Sequence, residues 1–403
     1  MKKKQFAGLV LAAAMATSLF AGCGSSDNKS SEAGKSASGS NAGVEVAGDG
    51  PVWKIGAIGP LTGAGANYGN AVCDAAELAV KEINAAGGIN GYQIAYKSED
   101  DELDNEKSVN AYNALKDWGM QILVGPTTSD CTIAVSEKTK EDNMFQITPS
   151  GSAVDCTKYD NVFRVCFADP AQGAKSAEYI GTHKLAVKVG IIYDSSTTYS
   201  SGIEQSFVEE AKNQGFEIVS AQAFTADTKT DFTAQLQAIK DAGADLIFLP
   251  IYYTEAATIL TQASTMGLSV KWFGCDGLDG MLDMDNFDAQ LAEGVMLLTP
   301  FAADATDDLT TKFVSAYKDA YKVTPNQFAA DSYDAVYAIK AALEKAGTTP
   351  EASVEEISKA LMDNMTQISL DGLTGTIKWN QNGEPDKNPK AVEIKNGAYV
   401  SMD

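Results

Sequence analysis

The sequence predicts an α/β protein of two doubly wound, Rossmann-like lobes that share a hinge and a cleft. Three observations lead there. From Val52 onward short apolar runs alternate with amphipathic stretches of helical period. The alternation begins afresh after Asp169-Pro170, so one chain carries two consecutive series. A length of 403 residues, 44% of them hydrophobic, suits two lobes of about 150 residues with full cores.

Taken in order, Trp53–Ile58 reads as a strand and Ala71–Ala86 as a helix closed by Gly87-Gly88. Tyr92–Tyr96 (strand), Asn105–Trp118 (helix), Ile122–Val124 (strand), Ser129–Glu141 (helix) and Phe145–Ile147 (strand) complete the first series. The second opens with Pro170 in a first helical turn, where its missing N–H is harmless. Helix Ala171–Lys184, strand Val187–Tyr193, helix Ser201–Gln214 and strand Glu217–Phe224 follow. Helix Asp231–Ala242, strand Leu246–Leu249, helix Glu255–Met266 and strand Val270–Phe273 extend it. Helices near Leu309–Tyr321, Phe328–Ala346 and Val354–Met365 come next. Short strands near Thr376–Trp379, Val392–Ile394 and Ala398–Ser401 close the chain, the last two joined by the hairpin signal Asn396-Gly397. The expected division is 51–168 plus 300–376 for lobe 1 and 169–299 plus 377–403 for lobe 2. Hinges are expected near Cys166–Asp169, Leu298–Phe301 and Gly375–Lys378.

The N-terminus reads as an address. Lys2, Lys3 and Lys4 precede an apolar run from Phe6 to Phe20, too short to span a bilayer, which makes residues 1–22 a signal peptide. The run ends in Leu19-Phe20-Ala21-Gly22-Cys23, which resembles a bacterial lipobox and implies lipidation of Cys23. Residues 23–50 are rich in Ser, Gly, Ala and Asn and read as a flexible tether, about 30 Å in root-mean-square span. The expected location is therefore the outer face of the cell membrane, held by a lipid anchor.

Composition excludes several functions. A formal net charge of -23 leaves no electrostatic footprint for nucleic acid. His183 is the sole histidine, so a histidine-based metal cluster is absent and general-base chemistry lacks its commonest carrier. Arg164 is the sole arginine, so an anion must be held by backbone N–H groups and hydroxyls. Both residues are expected to be structural, and neither cofactor nor metal is expected.

Ligands of open α/β sheets bind at the carboxyl ends of the strands. The glycine-rich Gly63–Gly69 stretch departs from the dinucleotide fingerprint by one residue and reads as a loop that aims Tyr68 at the cleft. Gly125-Pro126-Thr127-Thr128-Ser129 feeds a helix N-terminus, suited to a carboxylate, although Ser129 would serve as a simple cap as well. Thr148-Pro149-Ser150-Gly151-Ser152 is a second hydroxyl-rich strand end. In the second lobe Tyr199, Tyr252 and Asp276 stand at strand ends; Asp276, flanked by glycine, can meet an ammonium or be a plain turn residue.

Several stretches together resemble the type I periplasmic binding proteins of the branched-chain amino acid import class. They are Ile58-Gly59-Pro60-Leu61-Thr62-Gly63, Ile83-Asn84-Ala85-Ala86-Gly87-Gly88-Ile89-Asn90-Gly91, Ile147-Thr148-Pro149-Ser150, Asp169 through Gln172-Gly173, Tyr193-Asp194 and Tyr199-Ser200-Ser201-Gly202. The resemblance implies a monomer that closes around one amino acid and is read by the permease subunits of an ABC importer, with no bond made or broken. It implies that Ser129, Ser152 and nearby backbone N–H groups, around Gly151, hold the carboxylate. It implies Asp276, Tyr252 and the carbonyl of Ser150 for the ammonium, and Tyr68, Tyr199, Thr127, Thr128 and Phe328 for the side-chain pocket. Thr127 and Thr128 replace apolar or cysteine positions and make that pocket more polar; Asp276 is one methylene shorter than the family's glutamate.

A sensor or accessory receptor of the same fold, binding an amide, an aromatic acid or another metabolite, is the alternative; an enzyme is the third, for which no convincing nucleophile-base set exists. Besides Cys23 the chain has Cys73, Cys131, Cys156, Cys166 and Cys275. Cys156 and Cys166 flank a short loop and are the first disulfide candidate; Cys73 with Cys131 is the second. The odd count demands a free thiol.

Overall fold

The computed structural model describes residues 43–387 and 389–402. Cys23, the signal segment and most of the expected tether lie outside the described residues.

The first sheet takes up β1 (Gly43–Val44), β2 (Trp53–Gly59), β3 (Ile94–Asp100), β4 (Ile122–Val124), β5 (Phe145–Thr148) and β6 (Val162–Arg164), in the order β1-β3-β2-β4-β5-β6. All pairs are parallel except β1 against β3. Helices α1 (Ala66–Ala85), α2 (Asn105–Trp118) and α3 (Ser129–Glu141) are the crossovers. Strand β4, and β2 apart from Lys54, are apolar on both faces, as a parallel strand covered by helices on either side must be. The tether was expected to run to Gly50, yet Gly43 and Val44 form an edge strand on Lys97 and Tyr96. The Gly43 N–H also donates to Glu77 (3.2 Å), a tertiary contact that composition cannot show.

The second sheet repeats the plan. After α4 (Asp169–Thr182) come β7 (Lys188–Asp194), α5 (Thr198–Ala211), β8 (Glu217–Phe224), α6 (Thr233–Ala242), β9 (Leu246–Leu249), α7 (Tyr253–Thr265), β10 (Lys271–Gly274) and β11 (Val295–Thr299). Helices α8 (Asp308–Tyr321), α9 (Gln327–Ala346) and α10 (Val354–Met365), with the hairpin β12 (Leu370–Gly372) and β13 (Gly375–Ile377), return to the first lobe. There α9 lies along α1, and its Ser332 donates to the Val72 carbonyl (2.7 Å). Strands β14 (Lys390–Lys395) and β15 (Ala398–Ser401) then complete the second sheet, β15-β14-β11-β10-β9-β7-β8, antiparallel at that edge. Their turn has Asn396 at φ 52° and Gly397 at φ 72°, the double left-handed geometry that Asn-Gly favours.

Leaving aside β1, β14 and β15, both sheets have the same winding: the second strand, the first, then the third, fourth and fifth. The order reverses between β2 and β4 in one lobe and between β7 and β9 in the other. Ligand crevices open at such switch points.

The return to the second sheet comes later than residue 377. Gly383 accepts from the Arg164 N–H (3.0 Å), the Trp379 indole donates to the Arg164 carbonyl (2.7 Å), and Glu384 pairs with the Arg164 guanidinium (2.9 Å). Residues 379–384 are thus fastened to β6, at the edge of the first sheet.

Candidate functional site

The two switch points face one another across a small cavity lined by Tyr68, Thr127, Thr128, Ser129, Ser150, Tyr199, Tyr252, Asp276, Gly277 and Phe328. Nine of the eleven expected ligand residues therefore meet in one place. Most of them reach it from strand ends. Thr127, Thr128 and Ser129 follow β4, Ser150 follows β5, Tyr199 lies in the first turn of α5, Tyr252 precedes α7 and Asp276 follows β10. Tyr68 and Phe328 come from the first turns of α1 and α9.

The approach of α1 depends on Gly69. A Cβ there would come within 2.1 Å of the Pro60 carbonyl oxygen, so the glycine-rich segment serves helix packing and brings Tyr68 into the cleft. Rings then line the cavity: Tyr68 meets Phe328 at 4.7 Å and Tyr252 at 5.6 Å between centroids, and Tyr199 stacks on Tyr252 at 5.0 Å.

On the first-lobe side Ser129 Oγ accepts from the N–H groups of Ser152 and Ala153 (both 3.1 Å), which leaves its own O–H free to donate elsewhere. Ser150 donates to the Thr127 carbonyl (2.6 Å). The N-cap Thr128 makes no side-chain cap hydrogen bond, so the first turn of α3 keeps orphan N–H groups and its positive dipole end.

Gly151 and Ser152 stand outside the lining. The Gly151 N–H donates to Thr148 Oγ1 (2.8 Å), and its carbonyl accepts from the Arg164 guanidinium (3.0 Å), so its polar groups are committed to the loop itself. Ser152 is fully buried, its hydroxyl set against the buried Asp169 carboxyl. Arg164 also reaches the Ala153 and Val154 carbonyls and Thr157, fully buried in its role as a loop staple. His183 is exposed and stacked on Tyr179.

On the second-lobe side Asp276 is buried, and Tyr199 donates to its Oδ1 (2.7 Å). Burial pushes its pKa up to about 7, the nearby Asp331 adds to the rise, and the Tyr199 hydrogen bond opposes it. A buried carboxylate so placed is suited to a cation that completes its solvation.

Sequence reasoning missed Gly277, which lines the cavity. Its N–H donates to Tyr199 (2.9 Å), its carbonyl accepts from Tyr68 (2.5 Å), and a Cβ would meet the Tyr199 hydroxyl at 2.6 Å. The Gly274-Cys275-Asp276-Gly277 turn was the available signal. Gln327 was missed too: it holds the Asp276 carbonyl and the Asp279 carboxylate (both 3.0 Å).

The disulfide expectations are overturned. All five body cysteines are free and buried. Cys156 Sγ lies 3.6 Å from the Ser129 carbonyl inside a short 3-10 turn, while Cys166 follows β6 with its N–H on the Pro149 carbonyl. Cys73 sits on α1 near Tyr96, and Cys131 lies beside Ser108 and Thr128. Each thiol packs against its own neighbours, and burial raises all their pKa values.

Comparison with known proteins agrees with this geometry. A family model described as periplasmic binding protein matches residues 52–398. "Leu/Ile/Val-binding protein homolog 3" of Brucella melitensis is 30% identical over 82% of this chain and 88% of its own length. The "leucine-, isoleucine-, valine-, threonine-, and alanine-binding protein" of Pseudomonas aeruginosa is 27% identical over 82% of this chain and 86% of its length. Among solved structures, the branched-chain amino acid transporter substrate-binding protein LivJ of Streptococcus pneumoniae, in complex with isoleucine, superposes with a TM-score of 0.79 at 30% identity. That match covers 87% of this chain and 98% of the other. With the family model spanning nearly the whole body and both lobes wound alike, the chain belongs to the type I periplasmic binding proteins of the branched-chain amino acid class.

Proposed function

We propose that this chain is the extracytoplasmic substrate-binding subunit of an ABC importer and that it captures one amino acid between its lobes. The observation that carries the reading is the pairing, in one small cavity, of a buried carboxylate, Asp276, with the uncapped N-terminus of α3 beside Ser129. A zwitterion needs both ends matched when it leaves water. Asp276 with Tyr252 and the Ser150 carbonyl would take the ammonium. Ser129 and the first-turn N–H groups of α3 would take the carboxylate, and Tyr68, Tyr199, Thr127, Thr128 and Phe328 the side chain. Relatives named for leucine, isoleucine and valine support the substrate class.

Closure is the working step. Hydrogen bonds already cross the cleft: Tyr68 to Gly277, Asn67 to the Gly280 carbonyl (2.9 Å), Thr198 to Asp130 (2.6 Å) and Thr254 to the Ala64 carbonyl (3.0 Å). A ligand touching both lobes favours this arrangement, and the permease subunits read it. The lobes would swing about the three chain passages, at residues 165–168, at 300–307 and between Glu384 and Lys390. Residues 1–22 would direct export, and lipidated Cys23 would tie a monomeric body to the outer membrane surface.

A thermal-shift screen of amino acids, amides and aromatic acids tests the proposal. A ligand at 100 times its dissociation constant adds about 2.7 kcal/mol to stability. Stabilisation by amino acids, abolished in Asp276→Ala, is expected; a response to aromatic acids alone would discard the zwitterion assignment.

A further inference from the structure

We infer that the cargo carries a hydrogen-bonding group on its side chain, of the hydroxyl class, and that Thr128 selects it. The inference rests on the amino-acid reading above and goes further by naming the side-chain chemistry.

Most hydroxyls around the cavity are already committed. Ser150 donates to the Thr127 carbonyl, and Thr127 itself reaches the Ile58 carbonyl at 3.4 Å. Ser129 accepts two N–H groups, which orients its remaining O–H. Tyr68 and Tyr199 are each committed twice, to Gly277 and Tyr253 and to Asp276 and Gly277. Tyr252 is assigned to the ammonium. Thr128 remains. It occupies the N-cap of α3, where a threonine ordinarily bonds a first-turn N–H, yet it makes no such bond. The residue is 7% exposed, lines the cavity, and its hydroxyl faces the Cys131 thiol, a weak partner. An aliphatic side chain closing over that hydroxyl would strip it of water and give nothing back. A side chain bearing a hydroxyl would satisfy it.

Threonine and valine have the same shape and differ by hydroxyl against methyl, so they are the probes. The full chain, unfolded to release any retained cargo and refolded, is titrated calorimetrically with L-threonine and with L-valine, alongside Thr128→Val and Thr128→Ser. The expected result is threonine binding about tenfold tighter than valine in the unaltered protein. That preference should vanish or invert in Thr128→Val and survive in Thr128→Ser. Valine binding as tightly as threonine, or a preference that Thr128→Val leaves unchanged, overturns the inference while sparing the amino-acid reading. Binding of neither amino acid, nor of leucine or isoleucine, overturns both.

Discussion

Acidification should weaken amino-acid binding through Asp276. With the cleft bridged as described, this carboxyl is held near pKa 7, chiefly by burial, with Asp331 adding to the rise and the Tyr199 hydroxyl opposing it. Asp169 is the other acidic neighbour, itself pushed well up by burial, and Lys387 partly offsets Asp331. An ammonium ligand requires the ionised form, so binding below pH 7 must first remove a proton. The ionised fraction is about 0.9 at pH 8 and about 0.1 at pH 6, so affinity should fall about tenfold over that interval and about tenfold more by pH 5. Calorimetry at pH 6 in two buffers of different ionisation enthalpy should register close to one proton released per ligand, and close to none at pH 8.5. Flat affinity from pH 8 to pH 5 without proton release would refute the reasoning. The same slope persisting in Asp276→Asn would refute it too.

Asp276→Asn should lose ligand response yet melt higher than the unaltered protein at pH 8. A raised folded pKa means that the buried charge destabilises the fold above about pH 7, and the penalty disappears as pH falls toward 4; thermal melts at the two pH values test the sign. Lys387 and Asp331 form a buried pair at 2.6 Å, each side chain 2% exposed. Lys387→Met should therefore destabilise by about 3 kcal/mol, and adding Asp331→Leu should recover most of it, as denaturant melts would show. Tyr68→Phe removes the donor to Gly277 and the acceptor for the Tyr253 N–H. Affinity should drop about tenfold, with a larger scattering radius for the liganded protein; an unchanged radius and affinity would remove Tyr68 from closure.

The doubly wound plan was legible because its strands are continuous apolar runs and its helices keep their period. Asn105–Trp118, Ile122–Val124 and Ser129–Glu141 have the expected bounds. Short strands were lost. Val162–Arg164 is three residues long and ends in a charged side chain, whose neighbours Gly151, Ala153 and Glu384 are distant in sequence. Val295–Thr299 is fully buried and apolar, yet its final residues were read as a hinge because nothing local marks where pairing with β10 and β14 ends. Helix α1 starts at Ala66, five residues before the expected Ala71, since the glycines ahead of it suggested loop. Most cavity residues were found because strand ends project them, whereas Gly277 acts through its backbone groups and Gln327 through an amide that reaches the Asp276 carbonyl from 51 residues away. The cysteine pairs failed for a related reason: proximity in sequence says nothing of which way a thiol faces.

The interleaving of the two lobes bears on how such a chain is made. The first lobe lacks α9, the helix that covers α1, until residue 346 has been added, and the second sheet lacks its β14-β15 edge until residues 390–401 exist. Synthesis runs from the N-terminus, and a unit can condense only when its parts are present. The first lobe therefore cannot finish folding before most of the second has been made, and the second cannot finish before the first is complete. A chain exported in the way proposed above would gain from that delay, since its second sheet is incomplete until residues 390–401 exist. The same back-and-forth path that joins the two lobes thus sets the order in which each can close.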